Sequence, residues 1–279
     1  MTFHGFYFIT RPVNSIVSGL AAILGYIIAT GTITLSSLIL ILIVAIITAA
    51  GNVINDYFDA DIDAINRPKR PIPSGDVRRS SARIFATILF LCGILLSLFS
   101  NVLCLTIVVL NSLVLIIYAA KLKSSPFIGN LAISYLAASI FLFGGAFAGL
   151  SGLIQNIPIA IITFLAMLAR ELLKDAEDVK GDSIGGARTL PIKIGIQKTG
   201  RIALIVAVLG VGASIIPFFR WGAWYLAGIA FVDLIILIAV IRALPCKTPD
   251  CVKMSYATSI LKTGMFASLL IFTFFALGL

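Results

Sequence analysis

The chain has 279 residues, of which 60% are hydrophobic and only 12% are charged, and its formal net charge is +9. A soluble domain carries roughly a quarter of its residues as charges, whereas here apolar runs of about twenty residues, long enough to span a bilayer as a helix, recur along the whole length. The composition therefore excludes an ordinary soluble enzyme and predicts an all-α, polytopic membrane protein, because helices satisfy their own backbone hydrogen bonds in lipid.

Nine transmembrane helices are predicted around a central cavity. Their approximate bounds are 13–31, 34–55, 82–100, 102–119, 127–150, 156–174, 201–219, 222–243 and 255–278. The connections after spans 1, 3, 5 and 7 are short and nearly uncharged, and those after spans 2, 4, 6 and 8 are longer and basic. Of the 21 Lys and Arg residues only Arg220 falls on the first side, so the positive-inside rule predicts a cytoplasmic N-terminus and an external C-terminus in the cell membrane.

Acidic residues cluster at the ends of span 2, in "NDYFDADID", and of span 6, in "RELLKDAEDVKGD". Each cluster precedes a basic stretch rich in Gly and Pro. We therefore predict one membrane-embedded domain, 1–279, built from two related four-helix halves (about 13–120 and 127–243) with the final helix 255–278 appended. Equivalent helix ends in the two halves are expected to face each other at the cytoplasmic side.

The helical spacing of the first cluster predicts that its side chains point in two different directions. Asn55, Asp59 and Asp63 are four residues apart and share one face of a helix. Asp56 lies on the flank of that face, and Asp61 points away from it. The first cluster is therefore expected to present several oxygen atoms inward and one acid outward.

The second cluster has the same character. Asp175, Asp178 and Asp182 share a face, Glu171 lies one turn earlier, and Glu177 points away. Carboxylates at this density repel one another and raise each other's pKa unless cations lie between them.

Oxygen-only ligand sets suit Mg²⁺, which takes a few carboxylates together with the phosphate oxygens of a substrate. Two or more Mg²⁺ ions with a diphosphate between the clusters would satisfy both sets of acids. The two clusters are therefore expected to form a magnesium–diphosphate site together.

Basic residues of the cytoplasmic loops are expected to reach the same rim. They are Arg67, Lys69, Arg70, Lys121, Lys123, Lys174 and Arg188. Metal and basic side chains stabilise the charge that accumulates on a leaving diphosphate, and the apolar membrane interior holds a long tail while keeping water away from a reactive cation. This combination predicts the transfer of a prenyl group from a prenyl diphosphate.

The pattern Asn55-x3-Asp59-x3-Asp63, with Asp56, and the later Asp178-x3-Asp182, with Asp175, closely resemble the two aspartate-rich motifs of the UbiA superfamily of intramembrane prenyltransferases. The resemblance covers essentially the whole chain. It implies Mg²⁺-dependent ionisation of a polyprenyl diphosphate, followed by attack of an acceptor nucleophile. By this resemblance the residues assigned to catalysis are Asp59, Asp63, Asp178, Asp182 and Lys121. The metal ligands that it implies are Asn55, Asp56, Asp59, Asp63, Asp175, Asp178 and Asp182.

The family also has a Tyr/Lys motif after the fourth span. In "YAAKLK" a tyrosine precedes one lysine by three residues and another by five, so the functional lysine is open between Lys121 and Lys123, and Lys121 is favoured. The residues assigned to substrate binding are Asn55, Arg67, Lys69, Arg70, Tyr118, Lys123, Lys174 and Arg188.

The acceptor divides the family. "GNVINDYFDADIDAINRPKRPIPSG" and "YAAKLKSSPFIGN" look most like the subgroup that prenylates the hydroxyl of geranylgeranylglyceryl phosphate, an archaeal ether-lipid precursor, and the implied donor is geranylgeranyl diphosphate. A lipid phosphate acceptor also suits the surplus of cytoplasmic Arg and Lys. Aromatic acceptors such as 4-hydroxybenzoate or a chlorophyllide stay open, because the chlorophyllide subgroup shares much of the first motif.

A secondary transporter is the weaker alternative, because the repeats would be parallel and the acids lie at the cytoplasmic helix ends rather than at mid-bilayer. Membrane lipids are implied as partners, whereas nucleic acid and a protein partner are not. Asp233 within span 8 is open between a functional role and a bond to a neighbouring helix. Gly144, Gly145 and Gly149 are expected to permit close helix contact.

Overall fold

The structure, a computed structural model, describes residues 2–278, so the predicted domain 1–279 extends one residue beyond the described part at each end. The described residues form thirteen α-helices. Their bounds are Phe3–Ile9 (α1), Pro12–Thr30 (α2), Ile39–Asn66 (α3), Arg79–Ser97 (α4), Val102–Ala120 (α5), Ile128–Phe147 (α6), Leu150–Gln155 (α7), Ile157–Ile184 (α8), Leu190–Ile194 (α9), Ile196–Ala213 (α10), Phe218–Ala243 (α11), Pro249–Met254 (α12) and Ala257–Ala276 (α13).

Within residues 2–278, eight helices are long and apolar enough to cross a bilayer: α2, α3 with the 3₁₀ turn before it, α4, α5, α6, α10, α11 and α13. The long helix α8 contains nearly all of the sixth predicted span, 156–174, and continues to Ile184. Its uncharged run covers residues 157–169, about 20 Å at 1.5 Å per residue, and charged residues follow from Arg170 onward. The all-α, multi-pass architecture is confirmed, and the count of nine spans stays a prediction.

Local signals in the sequence account for several helix ends. Pro12 occupies the first turn of α2, where its missing N–H costs nothing, and Gly31 closes that helix in the left-handed conformation. The side chain of Asn101 caps α5 by accepting a hydrogen bond from the N–H of Cys104. In α11 the helix is interrupted at Gly222, where φ is 76°. That kink lies at the predicted start of the eighth span.

The chain divides into two compact units. The first unit comprises Met1–Lys121 and Ser139–Gln155, and the second comprises Leu122–Ala138 and Asn156–Leu279. In the first unit α3 packs against α2, α4 and α5, and in the second unit α8 packs against α10, α12 and α13. Each of these central helices has 28 residues and carries one acidic cluster in its C-terminal part. The scaffold of each unit is thus built around its acid-bearing helix.

The boundary between the units falls inside α6, whereas the predicted repeat begins at residue 127. Residues 139–147 of that helix belong to the first unit, and its earlier residues belong to the second. The single domain and the two related halves stay predictions.

The connection from α11 to α13 is tightly constrained within the second unit. A disulfide joins Cys246 to Cys251, and the side chain of Thr248 caps α12 by accepting a hydrogen bond from the N–H of Cys251. Tyr256, with a positive φ of 55°, then redirects the chain into α13. Both α12 and the start of α13 are thereby held against α8.

Asp233 bonds to a neighbouring helix end, one of the two roles left open by the sequence. Its carboxylate accepts a hydrogen bond from the hydroxyl of Ser214 at 2.6 Å, and the hydroxyl of Tyr225 donates to the backbone carbonyl of Ser214 at 2.9 Å. The cluster ties the C-terminal end of α10 to α11.

Two of the singled-out glycines have different roles. A Cβ atom on Gly144 would lie 2.2 Å from the backbone oxygen of Ala22 and 2.7 Å from the backbone nitrogen of Tyr26, which confirms close contact between α6 and α2. Gly149 has open space around its Cα and a φ of +94°. The expectation of close contact was wrong there, because that position needs glycine for its backbone conformation.

Replacing Gly144 with alanine should lower the melting temperature of the protein in detergent. The atoms that an added methyl would meet belong to the backbone of α2 and cannot rotate away, and overpacking of this kind costs roughly 1–3 kcal/mol or more. Gly212→Ala in α10 is the matched control, because its new methyl meets open space and alanine is favoured over glycine in helices by about 1 kcal/mol. A Gly144→Ala protein as stable as Gly212→Ala would contradict the contact.

Candidate active site

The first acidic cluster is oriented as its helical spacing predicts. Asp56, Asp59 and Asp63 are buried, with 4%, 9% and 5% of their surfaces exposed. Asp61 has 82% of its side chain exposed and pairs with Arg79 at 3.0 Å on the surface. Three carboxylates of α3 are thus withdrawn from solvent and one is not.

Two arginines neutralise this buried cluster. Arg70 Nη1 lies 2.5 Å from Asp63 Oδ2 and 3.2 Å from Asp56 Oδ1. Arg11, in the left-handed conformation just before α2, donates from Nη2 to the same oxygen of Asp56 at 2.6 Å and from Nη1 to Asn52 Oδ1 at 3.3 Å. Charge-assisted bonds of this kind are stronger than neutral ones, so the arginines hold both carboxylates in place.

Other predicted residues of the first unit lie nearby along the chain. Asn55 donates from Nδ2 to Asp59 Oδ2 at 2.9 Å, so the two share a face of α3. Arg67 terminates α3, and both its side chain and that of Lys69 are exposed. Tyr118 is half-buried near the end of α5.

In the second cluster Asp175 accepts a hydrogen bond at 2.8 Å from the side-chain amide of Asn130 on α6. Burial raises the pKa of Asp175 to about 7, and the hydrogen bond from Asn130 opposes that rise. Burial, and then the negative charge of Asp178, also raise the pKa of Asp182. Both carboxylates therefore bind protons more readily than free aspartate, and a nearby cation would favour their charged forms.

Lys174 connects two acids of α8. Its Nζ donates to Asp178 Oδ1 at 3.0 Å and to Glu177 Oε2 at 3.3 Å. The other oxygen of Glu177 accepts a hydrogen bond at 2.6 Å from the hydroxyl of Thr258 on α13. Glu177 therefore faces α13 while Lys174 links it to Asp178, and its predicted outward direction stays a prediction.

The two candidate lysines of "YAAKLK" have different surroundings. Lys123 lies in a 3₁₀ turn of the second unit, and its charge favours the ionised form of Asp182 by lowering that group's pKa. The backbone N–H of Arg188 donates to the carbonyl of Ser124 at 2.9 Å, which joins this turn to the loop after α8. Lys121 is exposed at the end of α5 in the first unit. Lys123 therefore has an electrostatic contact with the second cluster, and the preference for Lys121 as the functional lysine stays a prediction.

Within the described residues, 2–278, no three acidic, cysteine or histidine side chains converge as a preformed metal site. Mg²⁺ is commonly held by only one or two carboxylates together with substrate phosphates and water. Asp59 and Asp63 on α3, and Asp178 and Asp182 on α8, are pairs one turn apart that offer only oxygen atoms. The donor chemistry therefore suits a magnesium ion that is bound together with a phosphorylated substrate.

Three polar residues near the clusters were missed from the sequence. They are Arg11, Asn130 and Arg170, whose guanidinium donates to its neighbour Glu171 in α8. Arg11 is the only Lys or Arg before the first apolar span, and Asn130 interrupts the start of the fifth. A polar residue that stands alone at the boundary of an apolar span is expected to have a polar partner. This signal could have identified Arg11 and Asn130.

The chain matches a known protein family over most of its length. The UbiA prenyltransferase family matches residues 18–270. A protein named digeranylgeranylglyceryl phosphate synthase from Methanoregula boonei is 57% identical over 279 residues, which is 100% of both chains.

Solved structures share the fold over nearly the whole chain. One, described by the words "biosynthesis of Digeranylgeranylglyceryl phosphate synthase in membranes", has a TM-score of 0.86 and 36% sequence identity, and the match covers 99% of each chain. A UbiA homolog from Archaeoglobus fulgidus bound to GPP and Mg²⁺ has a TM-score of 0.71 at 15% identity, covering 99% of this chain and 100% of that one.

Replacing Arg70 with methionine should lower the melting temperature in metal-free buffer substantially. The substitution leaves Asp56 and Asp63 buried with one fewer cation, and breaking a buried ion pair costs roughly 3–5 kcal/mol. Arg79→Met is the matched control, because its partner Asp61 is largely exposed and surface pairs contribute about 0–1 kcal/mol. Equal losses in the two variants would show that burial of the first cluster does not depend on Arg70.

Proposed function

This chain belongs to the UbiA prenyltransferase family and is a prenyltransferase, and on that premise we propose that it transfers the geranylgeranyl group of geranylgeranyl diphosphate to the hydroxyl of geranylgeranylglyceryl phosphate. The observation that carries this proposal is the full-length similarity to a relative named digeranylgeranylglyceryl phosphate synthase. Joining these two substrates yields the compound in that relative's name.

The first cluster supports a role in binding the diphosphate of the donor. We assign Asp59 and Asp63 to hold magnesium, with Asp56 and Asn55 beside them on α3. We assign Arg70, which contacts two of these acids, to bind an anionic oxygen of the diphosphate. Arg67 and Lys69 follow on the exposed loop and add positive charge at the membrane surface.

We assign the second cluster, like the first, to bind magnesium and the diphosphate. Asp175, Asp178 and Asp182 contribute oxygen ligands from α8, and Lys174 and Lys123 contribute cations near them. That both clusters bind the same magnesium–diphosphate group stays a prediction. Magnesium, when bound, neutralises the negative charge that develops on the leaving diphosphate. The Archaeoglobus fulgidus protein with this fold was observed with Mg²⁺ and GPP.

In the proposed reaction the bond between C1 of the geranylgeranyl group and the diphosphate oxygen breaks, and its electron pair leaves with the diphosphate. Arg70 and the site lysines stabilise that anion by charge-assisted hydrogen bonds. The hydroxyl oxygen of the acceptor forms an ether bond to C1 and loses its proton, which a site aspartate accepts. The apolar surroundings keep water from competing for the same carbon.

The acceptor carries a phosphate group, and the basic loops are suited to bind it. Arg188 is exposed on the loop after α8, and the backbone of that residue is anchored to the turn that contains Lys123. These loops follow spans 4 and 6, on the side that the distribution of Lys and Arg assigns to the cytoplasm. We propose that the N-terminus and the active-site loops are cytoplasmic and that the C-terminus is external in the cell membrane.

We expect Asp59→Ala and Asp178→Ala each to reduce prenyl transfer at least about a hundredfold, because each change removes an oxygen that stabilises the metal–diphosphate group. Transfer of radiolabelled geranylgeranyl diphosphate measures this loss, and the melting temperature should be retained because a repelling acid has been removed. Asp61→Asn is the matched control on α3, with an exposed side chain, and should keep its activity. Near-normal turnover in either alanine variant would reject the assignment of that residue.

A competition between acceptors tests the substrate. With Mg²⁺ present, label from geranylgeranyl diphosphate should enter geranylgeranylglyceryl phosphate and not 4-hydroxybenzoate, and chelation of the metal should abolish the reaction. Label in 4-hydroxybenzoate would establish the aromatic alternative instead. Labelled diphosphate that crosses a proteoliposome membrane without forming any new bond would indicate a transporter.

A further inference from the structure

The last helix, α13, makes a buried polar contact with the acid-bearing helix of the second unit. The hydroxyl of Thr258 donates to Glu177 Oε1 at 2.6 Å, across 81 residues of sequence. Only 7% of Thr258 is exposed, and only 9% of the Glu177 side chain. A buried carboxylate requires such partners, so this bond restricts where Glu177 can lie.

The contact continues toward the second cluster through Lys174. Glu177 Oε2 accepts a hydrogen bond from Lys174 Nζ at 3.3 Å, and the same Nζ donates to Asp178 Oδ1 at 3.0 Å. Lys174 is held between two acids, of which one is anchored on α13 and the other is an assigned magnesium ligand. Hydrogen bonds behind a ligand commonly orient it and tune its affinity.

A second polar contact joins α8 to α12, the short helix before α13. Lys180 pairs with Asp250 of α12 at 2.6 Å, but 68% and 65% of these side chains are exposed. An exposed pair contributes little, whereas the bond between Thr258 and Glu177 is shielded from water. The buried bond is therefore the one able to transmit the position of α13 to α8.

We propose that Thr258 and Glu177 are positioning residues for Asp178, acting through Lys174. This inference rests on the proposed function, in which Asp178 binds the magnesium–diphosphate group. It assigns the ninth predicted span a specific role, because α13 supplies the hydroxyl that anchors this chain of hydrogen bonds. We call the four side chains Thr258, Glu177, Lys174 and Asp178 the α13–α8 relay.

Removing the hydroxyl tests the relay. Thr258→Val in the full-length protein should reduce kcat/KM for geranylgeranyl diphosphate by about ten- to hundredfold, the range typical of residues behind a metal ligand. Thr258→Ser, which restores the donor, should return kcat/KM to within about threefold of the original value. Thr263→Val is the matched control, because the hydroxyl of Thr263 donates within α13, to the carbonyl of Ser259, and that variant should behave as the unaltered protein does.

A second background separates positioning from general stability. In a Lys174→Met protein the relay is already interrupted, so adding Thr258→Val should lower kcat/KM by less than about threefold further. A purely structural role of Thr258 would lower kcat/KM by the same factor in both backgrounds and would overturn the proposal. Failure of Thr258→Ser to restore activity would overturn it as well.

Metal binding provides a readout that does not depend on turnover. Mn²⁺ prefers the same oxygen ligands as Mg²⁺, and its binding in the presence of inorganic pyrophosphate can be followed by electron paramagnetic resonance. Thr258→Val should weaken Mn²⁺ binding about tenfold, and Asp250→Asn, at the exposed link, should leave it unchanged.

The outcomes distinguish the two proposals. Unaltered protein that binds Mn²⁺ with pyrophosphate but transfers no prenyl group would refute the proposed function, while weaker binding in Thr258→Val would still support the relay. Unaltered protein that transfers the prenyl group, combined with normal Mn²⁺ affinity and kcat/KM in Thr258→Val, would refute the relay alone.

Discussion

A carboxylate buried beside apolar helices must be paired, because removing an ion from water costs several kcal/mol. The first unit meets this constraint with arginine. Arg70 and Arg11 contact Asp63 and Asp56 at 2.5 Å and 2.6 Å, and Asp59 is bonded to a neutral amide. A diphosphate would add negative charge beside these acids, so under the proposed function divalent cations enter with it.

The second unit pairs one acid with an arginine, Glu171 with Arg170, and meets the constraint for the other acids with weaker partners. The amide of Asn130 bonds to Asp175, and the ammonium of Lys174 lies between Asp178 and Glu177. Here the acids are less deeply buried, and nearly half of the Asp178 side chain is exposed. An amide and a flexible lysine hold their partners less rigidly than a planar guanidinium does. The second cluster therefore depends more on the helices around α8 for its geometry, which is why a buried contact from α13 has consequences for the site.

The sequence predicted those parts of the site that depend on local geometry. Helical spacing correctly separated the exposed Asp61 from its buried neighbours, because the direction of a side chain on a helix follows from its position. It did not predict the partner of Asp175, since Asn130 lies 45 residues away on another helix. It likewise did not predict the electrostatic effect of Lys123 on Asp182, because no local pattern encodes the position of the turn that carries Lys123. The role of Gly149 was misread because the chain needed a left-handed residue there.

The two acidic motifs carry more information about the donor substrate than about the acceptor substrate. Their carboxylates, and the cations paired with them, are suited to a metal-bound diphosphate, which every member that uses a prenyl diphosphate must bind in much the same way. Subgroups with chemically unrelated acceptors can therefore share most of "NDYFDADIDAINRP". Selection of the acceptor must then reside in residues outside the motifs, spread over loops and helix faces. This is why similarity along the whole chain supports a lipid phosphate acceptor more strongly than either motif does.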